Sequence, residues 1–222
     1  MGRFALLVGV SEYGNGYESL PGSETDLAQM QQVLEDTNMG GFRVEKLLNP
    51  NPQALREKIE NFFRDSIKSE DVLLFYFSGH GVLDRLTGSQ LYLSTSETRK
   101  DGQQLVESSA VEAAFLHRHL ANSESNQKIV ILDCCFSGAV ANLRQKGDST
   151  VNLEPLKASG TAILASCSSF GVSYQTQTET VGSLSQSIYT RYLVEGISTG
   201  AARQSNNDWI LTRDLHEYTK LR

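Results

Sequence analysis

Two stretches of this 222-residue chain carry the residue types that attack carbonyl groups. Phe77-Ser78-Gly79-His80-Gly81 sets an imidazole between glycines, directly after the apolar run Val72 to Phe77. Asp133-Cys134-Cys135-Phe136-Ser137-Gly138 sets two thiols after a second apolar run, Lys128 to Leu132. A thiol needs a base, or a partner that stabilises its thiolate, to attack a carbonyl at neutral pH. A short helix opening at Ser137-Gly138 would favour that thiolate through its amide groups. If the two runs are neighbouring strands, both side chains meet at one rim, and the backbone amides of Gly81 and Cys135 are candidates for an oxyanion hole. Taken singly, a histidine after a strand is commonly structural, and a strand-end cysteine is commonly a small buried hydrophobe. Both together, in glycine-flanked turns at successive inner strands, favour chemistry.

The elements that must position these groups follow from hydrophobic period. Phe4 to Val10, Val72 to Phe77 and Lys128 to Leu132 are short continuous apolar runs, the pattern of strands buried on both faces. Phe42 to Leu48, Gln90 to Leu93 and Thr161 to Ala165 read as further strands. Between them, Glu24 to Asp36 places Leu27, Met30, Val33 and Leu34 on one helix face, with Gly40-Gly41 as its stop. Pro52 suits the first turn of a helix carrying Leu55, Ile59, Phe62 and Phe63 inward. Ser109 with Glu112 predicts a capping box for a helix to about Ala121. Leu184 to Ser198 and Thr212 to Leu221 read as the last two helices. Alternation of strand and helix predicts a mostly parallel sheet of six or more strands with helices on both faces, an α/β fold. In such sheets the reactive groups lie at the carboxyl ends of the strands, where both motifs fall.

Composition narrows the function classes. A formal charge of -6 offers no basic field for nucleic acid or anionic lipid. Of the three cysteines, Cys134 and Cys135 are adjacent and Cys167 is left over, which argues against a disulfide framework and for a reducing, cytoplasmic setting. The opening MGRFALLVGV is too short to span a bilayer and has no small-residue cleavage site. Its Met1-Gly2 start lacks the Ser or Thr that a myristoylation motif needs. There is no phosphate-binding glycine fingerprint and no GxSxG elbow. Zinc has no CxxC or HxxxH spacing to bind, and His117 and His119, two apart on a helix, face different ways. Asn206 to Asp214 resembles half of a calcium loop, but Arg203 falls on the first ligand position.

The two motifs resemble those of a known peptidase family. Phe77 to Gly81 is similar to the (Y/F)SGHG histidine motif of metacaspases, paracaspases and bacterial orthocaspases, and Asp133 to Gly138 resembles their DxCxSG nucleophile motif. The 55 residues from His80 to Cys135 suit the spacing of about 50 expected of a caspase-type pair. Ala5 to Val10, Leu20-Pro21-Gly22 and Thr25-Asp26-Leu27 resemble the family's first strand and helix, and Ser187 to Arg191 the start of its small-subunit helix. The resemblance implies a caspase-like fold and a cysteine endopeptidase with His80 and Cys135 as its dyad, Cys134 being the variable position. It departs at Phe136, where many metacaspases have histidine. One domain over 1–222 is expected, with a large-subunit-like part to about 142, a linker loop over 143–159 and a small-subunit-like part over 160–222.

By the same resemblance, Asp26, Ser78 and Asp133 line the pocket for the residue before the scissile bond. Two carboxylates suit a guanidinium, so cleavage after Arg, then Lys, is expected. A helix-capping role is the plainer alternative for Asp26. Arg144 and Lys146 in the linker are then candidate self-cleavage points. Calcium, which many metacaspases need, has no acidic cluster to bind here: Asn142 replaces an acid, and Glu97 and Asp101 stand alone. No cofactor is expected, calcium dependence being the alternative. Peptide or protein substrates, a monomer, and adaptor or sensor domains beyond Arg222 complete the expectation, with no nucleic-acid or membrane partner. Two competing functions remain open at this point: a catalytically silent caspase-like scaffold, and an Asp-specific caspase with basic groups in its pocket.

Overall fold

The structure is a computed structural model. It describes residues 1–14, 16–83, 90–102, 104–136, 156–166, 179–181, 184–204 and 209–222, with backbone alone for 135, 136, 179–181, 184 and 185. Along the chain run β1 (Arg3–Gly9), α1 (Gly22–Glu35), β2 (Arg43–Leu48), α2 (Pro52–Arg64), β3 (Val72–Leu83), β4 (Leu91–Leu93), β5 (Lys100–Asp101), β6 (Gln104–Leu105), β7 (Val111–Glu112) and α3 (Ala113–Asn122). They are followed by β8 (Gln127–Phe136), β9 (Thr161–Ala165), β10 (Glu179–Val181), β11 (Leu184–Gln186), α4 (Ile188–Ser198) and α5 (Thr212–Lys220).

Five strands run parallel in the order β2-β1-β3-β8-β9. β3 outruns β1, and β4 pairs antiparallel onto its free edge at Gly81–Leu83, with β7 antiparallel to β4 in turn. The strand order reverses beside β1, because α1 leads outward to β2 and α2 leads back to β3. This is the switch point at which α/β sheets open a crevice beyond the strand ends.

Strand alternation sorts the core into two layers. Leu6, Val8, Phe75, Phe77, Val130 and Leu132 face α2 and α3, meeting Leu55, Ile59, Phe63 and Leu116. Ala5, Leu7, Leu74, Tyr76 and Ile131 face α1, α4 and α5, meeting Leu27, Met30, Leu193 and Leu215. Both faces of the inner strands are covered, which explains their unbroken apolar sequence. Asn51 caps α2 by accepting from the Ala54 amide at 2.8 Å, ahead of Pro52 in the first turn.

Three local expectations are corrected. Ser78 to Gly81 and Asp133 to Phe136 are not turns: β3 and β8 continue through both motifs, register-paired from Val72↔Gln127 to Gly81↔Phe136, because each supplies the other's ladder partners. The Ser109–Glu112 capping box does not form. Ser109 lies in a 3-10 turn and bonds Val106 O and Arg99 N, while Glu112 is drawn into β7, so the helix starts at Ala113. Leu184 to Gln186 is not the start of a helix but β11, paired antiparallel with β10, and α4 begins only after Ser187.

Candidate active site

The loop after β1 is built to hold an aromatic wall against His80. Asn49, in a left-handed conformation (φ 49°), accepts from the amides of Ser11 (2.8 Å) and Glu12 (3.2 Å) and so ties that loop to the end of β2. Ser11 Oγ in turn donates to Glu24 on α1 at 2.8 Å. The braced loop sets the Tyr13 ring 4.6 Å and the Tyr17 ring 5.6 Å from the imidazole. Tyr13 Oη accepts from the His80 amide at 2.9 Å and donates to Val10 O at 2.8 Å. This close approach explains Gly79, since a Cβ there would lie 2.9 Å from Tyr13 Oη. The glycine makes room for the tyrosine; it does not bend the strand.

His80 Nε2 lies 2.9 Å from the carbonyl oxygen of Glu18. A carbonyl only accepts, so Nε2 carries the proton and Nδ1 is the basic nitrogen. Burial holds the imidazole below its ordinary value, against a smaller upward pull from the Glu18 carbonyl. On the neighbouring strand the position paired with His80 is Cys135. Cys134 points instead into the α2/α3 core and is 1% exposed. The Cys135 and Phe136 side chains lie outside the described residues, as do Ser137, Gly138, Arg144, Lys146 and Cys167.

Two positions before the His80↔Cys135 pair, Ser78 is register-paired with Asp133. Ser78 Oγ donates to Asp26 Oδ2 at 3.0 Å, and Asp26 Oδ1 accepts from the Ser187 amide at 3.0 Å. Asp133 Oδ2 accepts from Thr190 Oγ1 at 2.5 Å. Asp26, Ser78 and Asp133 are therefore gathered in one buried network on the α1/α4 face of the sheet. Among the described residues, the hydrogen-bond partners of the two carboxylates are hydroxyls and amides, without a cation. Burial and then the charge of Asp133 push Asp26 up to about 7. Burial likewise raises Asp133, against hydrogen bonds from Ser187 and Thr190. Asp26 lies inside α1 and does not cap it, since the cap position is Pro21.

Sequence reading missed Tyr13, the Glu18 carbonyl, Tyr76, Ser187 as a donor, and Thr190. A tyrosine just past a buried strand was the available signal for Tyr13. A backbone carbonyl leaves no trace in a sequence.

A histidine–cysteine register pair at the carboxyl ends of two inner parallel strands, with two buried carboxylates nearby, marks an α/β protein of the cysteine-peptidase type. The family model of the caspase domain matches residues 2–214, and the chain belongs to that family. A crystal structure of a Geobacter sulfurreducens protein superposes with a TM-score of 0.66 at 14% identity, over 99% of this chain and 88% of that one. The structure of pro-sf-caspase-1 superposes with a TM-score of 0.63 at 14% identity, over 98% and 76%. At such identity both likenesses speak for the fold, which is caspase-like. Comparison with curated protein sequences finds no match. No helix among the described residues is long and apolar enough to cross a membrane.

Proposed function

We propose that this caspase domain is an active endopeptidase that cleaves after Arg, and less readily after Lys, with His80 and Cys135 as its dyad. The observation that carries the reading is the buried pair Asp26 and Asp133, two register positions from His80↔Cys135 and without a cation partner among the described residues. Two buried carboxylates are costly unless a cation joins them. A guanidinium accepted by several charge-assisted hydrogen bonds meets that need better than an ammonium, hence Arg before Lys. An acidic side chain in the same pocket would be repelled, which weighs against an Asp-specific enzyme.

In this reading the Cys135 thiol gives its proton to His80 Nδ1, and the thiolate attacks the scissile carbonyl. The amides of Gly81 and Cys135 receive the oxyanion. His80 then hands the proton to the departing amine, leaving a thioester on Cys135. Water attacks the thioester, loses a proton to His80, and releases the carboxylate product as the thiol is restored. Phe136 is not required, because His80 performs each proton transfer. No cofactor enters these steps, so turnover should survive chelation of calcium. The test is turnover of an Arg-terminated fluorogenic peptide by the wild type and by Cys135→Ala. Absence of turnover in both, with and without calcium, favours the silent scaffold. Cleavage of an Asp-terminated peptide instead sinks the basic pocket.

Three further results are expected. Tyr13→Phe removes the acceptor of the His80 amide and the tie to Val10, so kcat should fall about tenfold with KM nearly unchanged. Because burial holds His80 low, its neutral form survives below the ordinary imidazole value of 6.5, and the acidic limb of Cys135 alkylation should lie beneath that pH. In the linker, cleavage at Arg144 or Lys146 should yield fragments that disappear in Cys135→Ala. The same fragments from both proteins would exclude self-processing.

A further inference from the structure

We propose that Thr190, backed by Tyr76, determines how the acidic pocket accepts a basic side chain, by holding the Asp133 carboxylate ionised and in one orientation. The proposal rests on reading Asp26 and Asp133 as that pocket. Thr190 is fully buried in the first turn of α4. Its single O–H is committed to Asp133 Oδ2 at 2.5 Å. Tyr76 Oη lies 2.5 Å from Thr190 Oγ1, and with the threonine proton already spent, the phenol must be the donor.

The result is a one-way chain, Tyr76 to Thr190 to Asp133, that ends on the carboxylate. Tyr76 is fully buried, and burial with the two nearby carboxylates drives its phenol well up, so it stays protonated and keeps donating. Successive donors in one direction strengthen one another in a water-poor site.

α4 delivers both stabilising contacts at once. Its capping residue Ser187 gives an amide to Asp26, and Thr190 gives a hydroxyl to Asp133. The positive end of the helix also favours negative charge there. Among the described residues, the titratable groups facing Asp133 are Asp26 from α1 and Tyr76 from β3. Two acids whose partners among the described residues are hydroxyls and amides can relieve their repulsion by taking up a proton, which a basic substrate must then displace. The hydroxyl chain opposes that uptake and keeps an acceptor ready for the incoming cation. Without the Thr190 hydroxyl the proton wins over a wider pH range, and the substrate competes with it.

The experiment compares wild type with Thr190→Val, Thr190→Ser and Tyr76→Phe on Arg- and Lys-terminated peptides, from roughly pH 5.5 to 8.5. Iodoacetamide alkylation of Cys135 over the same range reports the dyad alone. Thr190→Val should raise KM for the Arg peptide about tenfold with kcat little changed. The acidic limb of its kcat/KM should move to higher pH while the alkylation profile stays in place. Thr190→Ser should restore both, and Tyr76→Phe, which deletes one oxygen, should fall between. An unmoved KM and limb in Thr190→Val overturns the proposal. So does a loss of kcat and alkylation in parallel with KM that serine does not rescue. Should Thr190→Val fail to fold, Tyr76→Phe decides by the same two readouts. Wild type that cleaves no basic peptide defeats the pocket reading itself, a result visible before any variant is compared.

Discussion

Replacing Cys135 by Ala should remove turnover of an Arg-terminated peptide by a factor on the order of 10⁴ or more, and His80→Ala should come close to the same loss. In the proposed dyad the two groups act as one device. Cys135 would supply the electrons, and His80, its proton on Nε2 held toward the Glu18 carbonyl, would supply the base. The double variant should therefore lose little beyond the worse single one, because a base without a nucleophile does nothing. Cys134→Ala is the matched control. That thiol is buried in the core under α2 and α3, so its loss should cost stability through a small cavity while kcat stays within a few-fold of wild type. Loss of activity in Cys134→Ala with activity retained in Cys135→Ala, both folded by thermal melts, would exchange the roles of the two cysteines.

Asp26→Asn and Asp133→Asn should each lower kcat/KM for the Arg peptide by roughly 10²- to 10³-fold, the scale of removing one member of a buried charged hydrogen-bonded pair. Alkylation of Cys135 should continue at the wild-type rate. The same substitutions should act oppositely on the empty protein's stability. Asp26 has its folded value raised to about 7 from an ordinary 3.8, so the native state binds the proton more tightly than the unfolded chain. Below about pH 4 both states are protonated and the site costs nothing. As pH climbs from about 4 to 7 the unfolded chain ionises freely while the native pair cannot, and stability declines by an amount on the order of a few kcal/mol. Asp26→Asn removes that slope. Its amide oxygen can still accept from Ser187, and Ser78 can rotate to accept from the amide nitrogen. Its melting temperature should thus exceed that of wild type at pH 7 and approach it at pH 4. A variant that loses both activity and stability at every pH would mark Asp26 as a structural residue rather than part of a specificity pocket.

These predictions draw on different amounts of sequence. The α/β alternation, the pairing of the two motif strands and the candidate residues His80, Cys135, Asp26, Ser78 and Asp133 were legible, because motifs and hydrophobic period are written in adjacent residues. Their surroundings were less so. Gly79 and Gly81 looked like turn formers, yet β3 runs straight through them, since β8 and β4 supply ladder partners that no local pattern announces. Leu184 to Gln186 carried a helical pattern and became β11, because pairing with Glu179 to Val181 outweighs propensity in so short a segment. Ser109 and Glu112 had the spacing of a capping box, but each found a stronger partner elsewhere.

By itself the sequence determined which chemistry the protein carries: a thiol, an imidazole and two acids, on strands whose apolar runs demanded a covered parallel sheet. Only the tertiary structure decided how those groups are tuned. Tyr13 reaches His80 across 67 residues, and Tyr76 reaches Thr190 across 114. The Glu18 carbonyl selects the imidazole tautomer, and the first turn of α4 feeds donors to both acids. The physical reason is that a hydrogen bond depends on where two atoms finally lie. Residue type and local spacing select the participants, while the packing of α1, β3, β8 and α4 around one crevice selects their partners.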